Sequence, residues 1–364
     1  MIKSLCITTV FIFFIFTGSA QQFVLETDLD TAVNETSGLL YLNNTLITHN
    51  DSGTTNQLFE IDIATGSVTR IVTITNATNT DWEDLTYDDT YIYIGDFGNY
   101  QGNRTDLKVY RIAISDYLSN TSVVADVINF SYSNQTDYTP SPLATNFDAE
   151  GLIHYNNTLY VFSKNWLDGK TNIYQLSKIP GTHSISIIDT VQSQGLVSGA
   201  TYNAIDNSIM ICGYDINGAF LIQLNAFDSG LFSNGNVIKT SVSVPTNYSP
   251  QIEGVFPVSA TEYYVTSEEN SPSASGLYSI NTATLAIQAF NDNSISFYPN
   301  PAQCSITLNH DHYETQIYNF TGQLVNSSSQ KEIDISNLID GIYLVKIEDK
   351  NSGNSTIKRL IVKE

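Results

Sequence analysis

The sequence has few of the residues that crosslink small exported domains. It contains 3 cysteines and 5 histidines in 364 residues, so it offers little material for a disulfide framework or a cysteine–histidine zinc site. After the first 20 residues the cysteines are Cys212 and Cys304, which lie far apart in the chain. We therefore expect both to be small buried hydrophobic residues and a hydrophobic core to supply most of the stability.

Basic residues are also scarce. The chain has 15 Lys and Arg against 37 Asp and Glu, a net charge of -22, and residues 21–292 hold 29 of the acidic residues but 8 of the basic ones. Such a charge repels nucleic acids and anionic lipids and favours bound cations. Binding to nucleic acid or to a membrane surface is therefore not expected, while solubility alone remains a sufficient explanation of the acidity.

Long apolar runs are missing except at the start of the chain. Residues 7–16 are mostly apolar, follow Lys3, and precede the small residues Gly18, Ser19 and Ala20. This pattern predicts a signal peptide over residues 1–20. Elsewhere no run approaches the roughly 20 apolar residues of a transmembrane helix, so we expect an exported chain without a transmembrane segment.

A short acidic phrase recurs through the chain at the start of strand-like segments. It reads ETSGL at 35–39, WEDL at 82–85, EGLI at 150–153 and EGVF at 253–256, with a degenerate copy, SGAT, at 198–201. Short apolar runs separated by polar turns follow each copy, as in antiparallel strands. Self-similarity at roughly 50 residues, built from short strands, is typical of propellers.

The repeats predict an all-β protein whose residues 21–292 form a five-bladed β-propeller with four strands to a blade. The outer strand of the third repeat is expected at residues 184–191 and that of the fifth at residues 285–290. The spacing between the second and third copies is 67 residues, the longest of the four intervals. A six-bladed propeller is the alternative, with the extra blade inside that interval or completed by a strand at residues 23–25 that pairs with the last repeat.

The pattern changes at residue 293. Two prolines in Tyr298-Pro-Asn-Pro301 fix an extended lead into a strand, and Asp340-Gly341 predicts a turn before the apolar run at 342–347. Residues 293–364 are therefore predicted to form a small immunoglobulin-like β-sandwich, separate from the propeller.

Four motifs in this last segment carry a resemblance. They are YPNPA at 298–302, YNFTG at 318–322, the pair ISNL and GIYL at 335–338 and 341–344, and KRLIVK at 358–363. In this order they resemble the type A-like C-terminal sorting domain of type IX secretion substrates in Gram-negative bacteria. The resemblance implies that the type IX machinery is a partner and that the protein reaches the cell exterior or the outer-membrane surface.

Strand direction predicts where the acidic residues of the propeller meet. In a blade, the start of the first strand and the end of the second lie on the same face. The strand starts carry the candidate metal ligands Glu35, Glu83, Glu150 and Glu253, and the second strands end at the candidate ligand-binding residues Asp51, Asp96, Asn165, Asp215 and Glu268. We therefore expect an acidic site at one mouth of the propeller channel, and we assign no catalytic residue.

Clustered carboxylates repel one another unless a cation compensates them. Ca²⁺ is the expected cation because it accepts carboxylate, amide and carbonyl oxygens. The structural alternative is that each strand-opening glutamate accepts backbone N–H groups from the neighbouring blade and holds the ring together.

A weaker resemblance concerns the propeller. Phe147-Asp-Ala-Glu-Gly-Leu152 and Ile252-Glu-Gly-Val255 resemble blade openings of the phytase-like esterase and gluconolactonase-like groups. This resemblance implies a divalent cation, held at Glu35, Glu83, Glu150 and Glu253, that polarises a phosphate or lactone. The chain departs from the pattern at Ser198 and lacks a cluster of basic residues for phosphate.

The function expected from these features is a module that binds a small molecule, glycan or protein at a cation-stabilised mouth. The alternative is a metal-dependent esterase, lactonase or phosphoesterase that uses the same carboxylates, and a third hypothesis is a purely structural, adhesin-like protein. Trp82 and Trp166 flank the mouth, where either core packing or stacking on a sugar would account for them.

Overall fold

The computed structural model describes residues 21–53, 55–228, 230–243, 251–270, 273–282, 296–309, 313–319, 323–349 and 355–363. The chain divides into two compact units, Met1–Thr284 and Leu285–Glu364, and both are built from strands, which confirms the all-β class. Within these ranges no helix is long and apolar enough to cross a membrane. The predicted signal peptide, the boundary at residue 293 and a strand expected at 285–290 lie outside the described residues.

The strands of the first unit are short and follow one another closely. In chain order they are β1 (Gln21–Gln22), β2 (Val24–Asp28), β3 (Thr36–Leu42), β4 (Thr45–Asn50), β5 (Gln57–Ile61), β6 (Val68–Ile74), β7 (Trp82–Tyr87), β8 (Tyr91–Asp96), β9 (Lys108–Ala113), β10 (Ser122–Val123), β11 (Asp126–Tyr132), β12 (Asp148–Tyr155), β13 (Thr158–Lys164), β14 (Thr171–Leu176), β15 (Gly181–Ile185), β16 (Ile187–Val191), β17 (Leu196–Asn203), β18 (Ser208–Asp215), β19 (Gly218–Asn225), β20 (Asn236–Ser243), β21 (Ile252–Pro257), β22 (Glu262–Ser267) and β23 (Gly276–Asn281). A short helix, α1 (Ile114–Ser119), connects β9 to β10.

These strands form five sheets in the described part of the unit. Their orders are β3-β4-β5-β6 with β10 at the edge, β7-β8-β9-β11 with β15, β12-β13-β14-β16, β17-β18-β19-β20 with β1, and β21-β22-β23 with β2. The first strands contact one another in a cycle: β3 with β7, β7 with β12, β12 with β17, β17 with β21, and β21 with β3. Such a ring of inner strands is the arrangement of a β-propeller.

The beginning of the described chain completes the last sheet. Strand β2 pairs antiparallel with β23, and the Leu29 amide donates to the Ser275 carbonyl at 2.8 Å. The strand expected at residues 23–25 is therefore present, shifted to Val24–Asp28. The pairing joins the two ends of the ring through main-chain hydrogen bonds.

One predicted strand is wrong in detail. The run at 184–191, expected to be the outer strand of the third repeat, is divided between two sheets, because β15 pairs parallel with β11 of the second sheet while β16 stays in the third. Ile185 is buried in the same apolar cluster as Phe130 and Tyr132. Burial of Ile185 against the second sheet accounts for the division.

Apolar side chains fill the spaces between neighbouring sheets. Trp82, for example, is fully buried between the first and second sheets with Leu46 and Ile94, and its ring lies edge-on to His49 at 5.6 Å. An aromatic side chain buries about 150–250 Å², which contributes about 4–6 kcal/mol at about 25 cal/mol per Å². Trp82 is therefore a core residue, which decides between the two alternatives for this tryptophan.

A β-bulge occurs at the same place in all five inner strands. In each strand the pairing register skips one or two residues. The first skipped residue is Ser37, Glu83, Glu150, Ser198 or Glu253, and these five positions are equivalent. Glycine follows four of them. A Cβ atom on Gly199 would lie 2.2 Å from the Glu253 carbonyl oxygen, so glycine is what allows adjacent inner strands to approach this closely.

Asp84 takes the place of that glycine in the second sheet. Its fully buried carboxylate accepts the amides of Leu85 at 2.8 Å, Leu152 at 2.8 Å and Ala200 at 3.2 Å. These amides belong to the second, third and fourth sheets. The role of holding the ring together by accepting N–H groups, which we considered for the glutamates, is thus filled by Asp84.

The second unit consists of two sheets in its described residues. The strands are β24 (Phe297–Tyr298), β25 (Ser305–Leu308), β26 (Tyr313–Tyr318), β27 (Leu324–Ser328), β28 (Glu332–Asp334), β29 (Gly341–Asp349) and β30 (Ser355–Val362). Their orders are β24-β25-β28 and β27-β26-β29-β30, and Ile306, Ile317, Val345 and Leu360 share one buried core. Immunoglobulin-like connectivity stays a prediction.

The position of Asp84 predicts a large loss of stability in Asp84→Ala. Three buried amides lose their acceptor, and each unsatisfied donor costs about 1–3 kcal/mol, so we expect a loss of at least about 2 kcal/mol. Chemical unfolding followed by tryptophan fluorescence reports this unit alone, since both tryptophans lie in it. Asp89→Ala, at an exposed position of the same sheet, is the control, and equal unfolding midpoints for the two variants would contradict the role of Asp84.

Candidate functional site

In the first three sheets, the start of the first strand pairs with the end of the second strand. Thr36 pairs with Asn50, Trp82 with Asp96, and Asp148 with Lys164. Several carboxylates at this end influence one another electrostatically. We call this group the acidic mouth, and its members are Asp51, Asp81, Glu83, Asp148, Glu150, Glu253 and Glu268.

Three of these residues form a compact set of oxygen ligands, which we call the carboxylate triad. Asp51, Asp81 and Glu83 each offer an oxygen, and the three oxygens lie within 4.8 Å of one another. A Cβ atom on Gly98 would lie 1.9 Å from Glu83 Oε1 and 2.5 Å from Asp81 Oδ2. Only glycine therefore lets the chain pass this close to the triad, whose spacing suits a hard cation.

Burial and mutual repulsion weaken the acidity of the triad. Burial raises the pKa of Glu83 well above its usual value, and Glu150 and Asp51 raise it further. Burial, followed by repulsion from Asp51 and Asp148, raises the pKa of Asp81 to about 7, and burial raises the pKa of Asp51 to about 6. A cation among the three oxygens would favour the charged forms and reverse these shifts.

A lysine neutralises another part of the mouth. Lys164 Nζ lies 3.1 Å from Glu150 Oε1, and both side chains are more than nine-tenths buried. Burial alone would lower the pKa of Lys164, but attraction to Glu150 and Glu253 outweighs it and raises the pKa. Asp148 in turn accepts Trp166 Nε1–H at 2.7 Å and the Asn99 amide at 2.5 Å. This side of the mouth therefore contains its own cation.

Glu253 and Glu268 form a third part of the mouth. Glu253 is 3% exposed, and its Oε1 has no hydrogen-bond partner among the described residues. Burial raises the pKa of Glu253 to about 7 against the opposing effect of Lys164, and burial with repulsion from Glu253 raises that of Glu268 to about 9. A buried acceptor of this kind is a position that a ligand, ion or water completes.

Three predicted ligand-binding residues already have partners within the protein. The fully buried Asp96 pairs with Arg104 at 2.8 Å. Asn165 donates to Asp168 at 3.1 Å and so fixes its own loop, while Asp215 pairs with Lys239 at 2.6 Å. Their role in ligand binding stays a prediction.

The alignment of Glu35 with the other glutamates is wrong by two residues. In the first sheet the residue at the bulge is Ser37, so Ser37 and not Glu35 is equivalent to Glu83 and Glu150. Glu35 is exposed, although its carbonyl accepts the Asp51 amide at 2.8 Å. It corresponds instead to Asp81, two residues before the bulge.

Sequence reasoning missed Asp81 and Asp148 as members of the mouth. A signal for both was present, because Asp81 and Glu83 have the same Asp-x-Glu spacing as Asp148 and Glu150. Lys164 was missed as the partner of Glu150, since the pairing depends on the register of β12 with β13.

Comparison with known families identifies the second unit. Residues 296–363 match the family described as "Secretion system C-terminal sorting domain". The match confirms the resemblance found in the four terminal motifs. A sorting domain of this kind marks a protein that is secreted or displayed at the cell surface.

Three of the solved structures that this chain resembles are distant in sequence. PorZ, a surface component of the type IX secretion system of Porphyromonas gingivalis, is 12% identical, with 90% of this chain and 45% of that chain covered and a TM-score of 0.33. This chain therefore spans less than half of PorZ. The GH62 α-L-arabinofuranosidases of Coprinopsis cinerea and Podospora anserina are 11% and 10% identical, cover 72% of this chain and 97% and 96% of theirs, and have TM-scores of 0.43 and 0.42. At such scores the likenesses carry no argument here, and no curated protein sequence matches significantly.

The raised pKa values predict how the stability of the first unit depends on pH. The pKa of Asp81 is near 7 in the folded chain, so between about pH 4 and about pH 7 the folded chain binds more protons than the unfolded chain, and stability falls as pH rises. Unfolding midpoints in EDTA, measured at about pH 5 and about pH 8, should show this fall, with a shallower slope for Asp81→Asn. A rise in stability over this range would contradict the electrostatic account.

Proposed function

We propose that the protein is an exported five-bladed β-propeller whose acidic mouth binds a calcium ion and, beside it, a ligand outside the cell. The cyclic contacts of the five inner strands support the blade count, and the sorting domain supports export. The observation that carries the proposal is the triad of Asp51, Asp81 and Glu83, whose oxygens lie within 4.8 Å of one another.

The donor set favours calcium over other metals. The triad offers carboxylate oxygens alone, which suits Ca²⁺ with its 6–8 oxygen ligands, whereas Mg²⁺ keeps most of its waters and Zn²⁺ prefers Cys and His. Of the four metal ligands predicted from the sequence, the proposal retains Glu83, and it adds Asp51 and Asp81 as ligands. Glu150 is assigned to Lys164 instead, because the two are paired at 3.1 Å.

A second observation supports a ligand at this mouth. The Oε1 atom of the buried Glu253 has no hydrogen-bond partner in the described ranges, and repulsion from Asp51 contributes to its raised pKa. A bound calcium ion would offset two of the three negative charges of the triad and offer free coordination positions to ligand oxygens. The unpartnered Oε1 of Glu253 is the atom that such a ligand would complete.

The calcium proposal predicts a stabilisation that depends on the triad. Calcium at about 100 times its dissociation constant should stabilise the folded chain by about 2.7 kcal/mol, which appears as a higher melting temperature than in EDTA. Asp81→Asn and Glu83→Gln should abolish the difference, because each removes a charged ligand. The control Asp89→Asn, at an exposed position, should keep it. A wild-type melting temperature indifferent to millimolar calcium would reject the proposal.

A metal-dependent hydrolase is the second candidate function. It is favoured by two carboxyl groups, Asp81 and Glu253, whose pKa values are raised to about 7 and so suit acid–base catalysis at neutral pH. The substrate classes expected from the sequence are esters, lactones and phosphoesters.

This candidate predicts turnover of an aryl ester, a lactone or a phosphoester with added calcium. Glu253→Gln should reduce kcat at least about a hundredfold, because it removes one of the two carboxyl groups whose pKa of about 7 suits acid–base catalysis. The matched control is Glu262→Gln, at an exposed position. Unchanged turnover in Glu253→Gln would remove Glu253 from the mechanism, and absence of turnover in the wild type would leave the binding function.

A further inference from the structure

A groove lies beside the acidic mouth, between the third and fourth sheets. Its volume is about 730 Å³, and its lining includes Trp166, Gln194, Tyr214, Asp215, Asn217 and Lys239. Small-molecule sites usually span about 300–1,000 Å³. No member of the carboxylate triad lines it, so the groove is a separate feature of the same face.

The wall of the groove is aromatic and held in place. Trp166 and Tyr214 are both half-buried, and the indole Nε1–H of Trp166 is fixed by its hydrogen bond to Asp148. Lys164 Nζ lies 5.2 Å from the Trp166 ring centroid and 5.4 Å from that of Tyr214. The chain's own lysine therefore takes the position that a cationic ligand would occupy between these rings.

Polar groups without net charge line the rest of the groove. Asp215 Oδ2 and Lys239 Nζ form an ion pair at 2.6 Å, and Lys239 also donates to the Gln194 carbonyl at 2.9 Å. At the rim, Asn217 is exposed and Ile216 is fully exposed. Hydrogen-bond donors and acceptors thus stand beside an apolar surface while the charges cancel.

We propose that this groove binds a neutral carbohydrate, one or more rings of a polysaccharide chain. A sugar ring has an apolar C–H face, which fits the exposed parts of Trp166 and Tyr214, and hydroxyl groups, which fit the polar side chains of the groove. An anionic ligand is disfavoured by the net negative charge of the acidic mouth beside the groove. The inference goes beyond calcium binding and does not depend on it.

Affinity electrophoresis of the full chain tests the groove, in gels that contain a soluble polysaccharide with EDTA and in parallel gels with calcium in place of EDTA. We expect at least one of β-glucan, galactomannan, xylan and dextran to retard the protein, and Trp166→Leu to weaken the interaction about tenfold or more. Because Trp166 also holds Asp148, a second variant is needed. Ile216→Asp introduces a charge at a fully exposed rim position and should weaken retardation without affecting folding.

Ile205→Asp is the matched control. Ile205 is 67% exposed and lies in the turn at the opposite end of the same sheet, so this variant should be retarded like the wild type. Absence of retardation by all four polysaccharides, or equal weakening by Ile216→Asp and Ile205→Asp, overturns the proposal. Retardation that requires calcium and is lost in Asp81→Asn would show that the sugar binds at the calcium ion. That result overturns the proposal that the groove binds carbohydrate, but it agrees with the calcium site.

Discussion

A carboxylate that is removed from water must be hydrogen-bonded, paired with a cation or protonated, and this constraint shapes the ring of inner strands. Asp84 meets it with three backbone amides, Glu150 with Lys164, and Asp96 with Arg104. Repulsion remains at the triad, where the pKa of Asp81 is raised to about 7. Repulsion also raises the pKa of Glu268 to about 9, but the triad is where three carboxylate oxygens lie within 4.8 Å of one another, and that is where we put the calcium ion.

The same bulge that positions the glutamates also allows the inner strands to pack. A bulge adds one residue to a strand and re-aims its side chain. The residue after it is glycine in four sheets, because a Cβ atom there would lie 2.9 Å or less from an atom of a neighbouring strand. Asp84 occupies this position in the second sheet, where its carboxylate reaches the amides of two further sheets. Architecture and candidate site thus depend on one repeated backbone feature.

Much of the fold could be predicted because short-range patterns carry it. Alternating apolar runs, polar turns and the repeated phrase predicted strands, and the terminal motifs predicted the sorting domain. The site was harder, since partners such as Lys164 and Glu150 follow from strand register, and Glu35 was aligned two residues too early because the repeated phrase does not show where the bulge lies in the first strand. The division of residues 184–191 between two sheets depends on burial of Ile185, which local sequence does not reveal.

The most direct test of the calcium site is an anomalous difference map from crystals soaked in a terbium or manganese salt as a calcium substitute. The account predicts a peak in the acidic mouth, with carboxylate oxygens of Asp51, Asp81 and Glu83 at about 2.0–2.6 Å. Two results would contradict the account. One is a metal peak at Glu150 in the position that Lys164 Nζ occupies, and the other is the absence of any peak in the acidic mouth at millimolar metal.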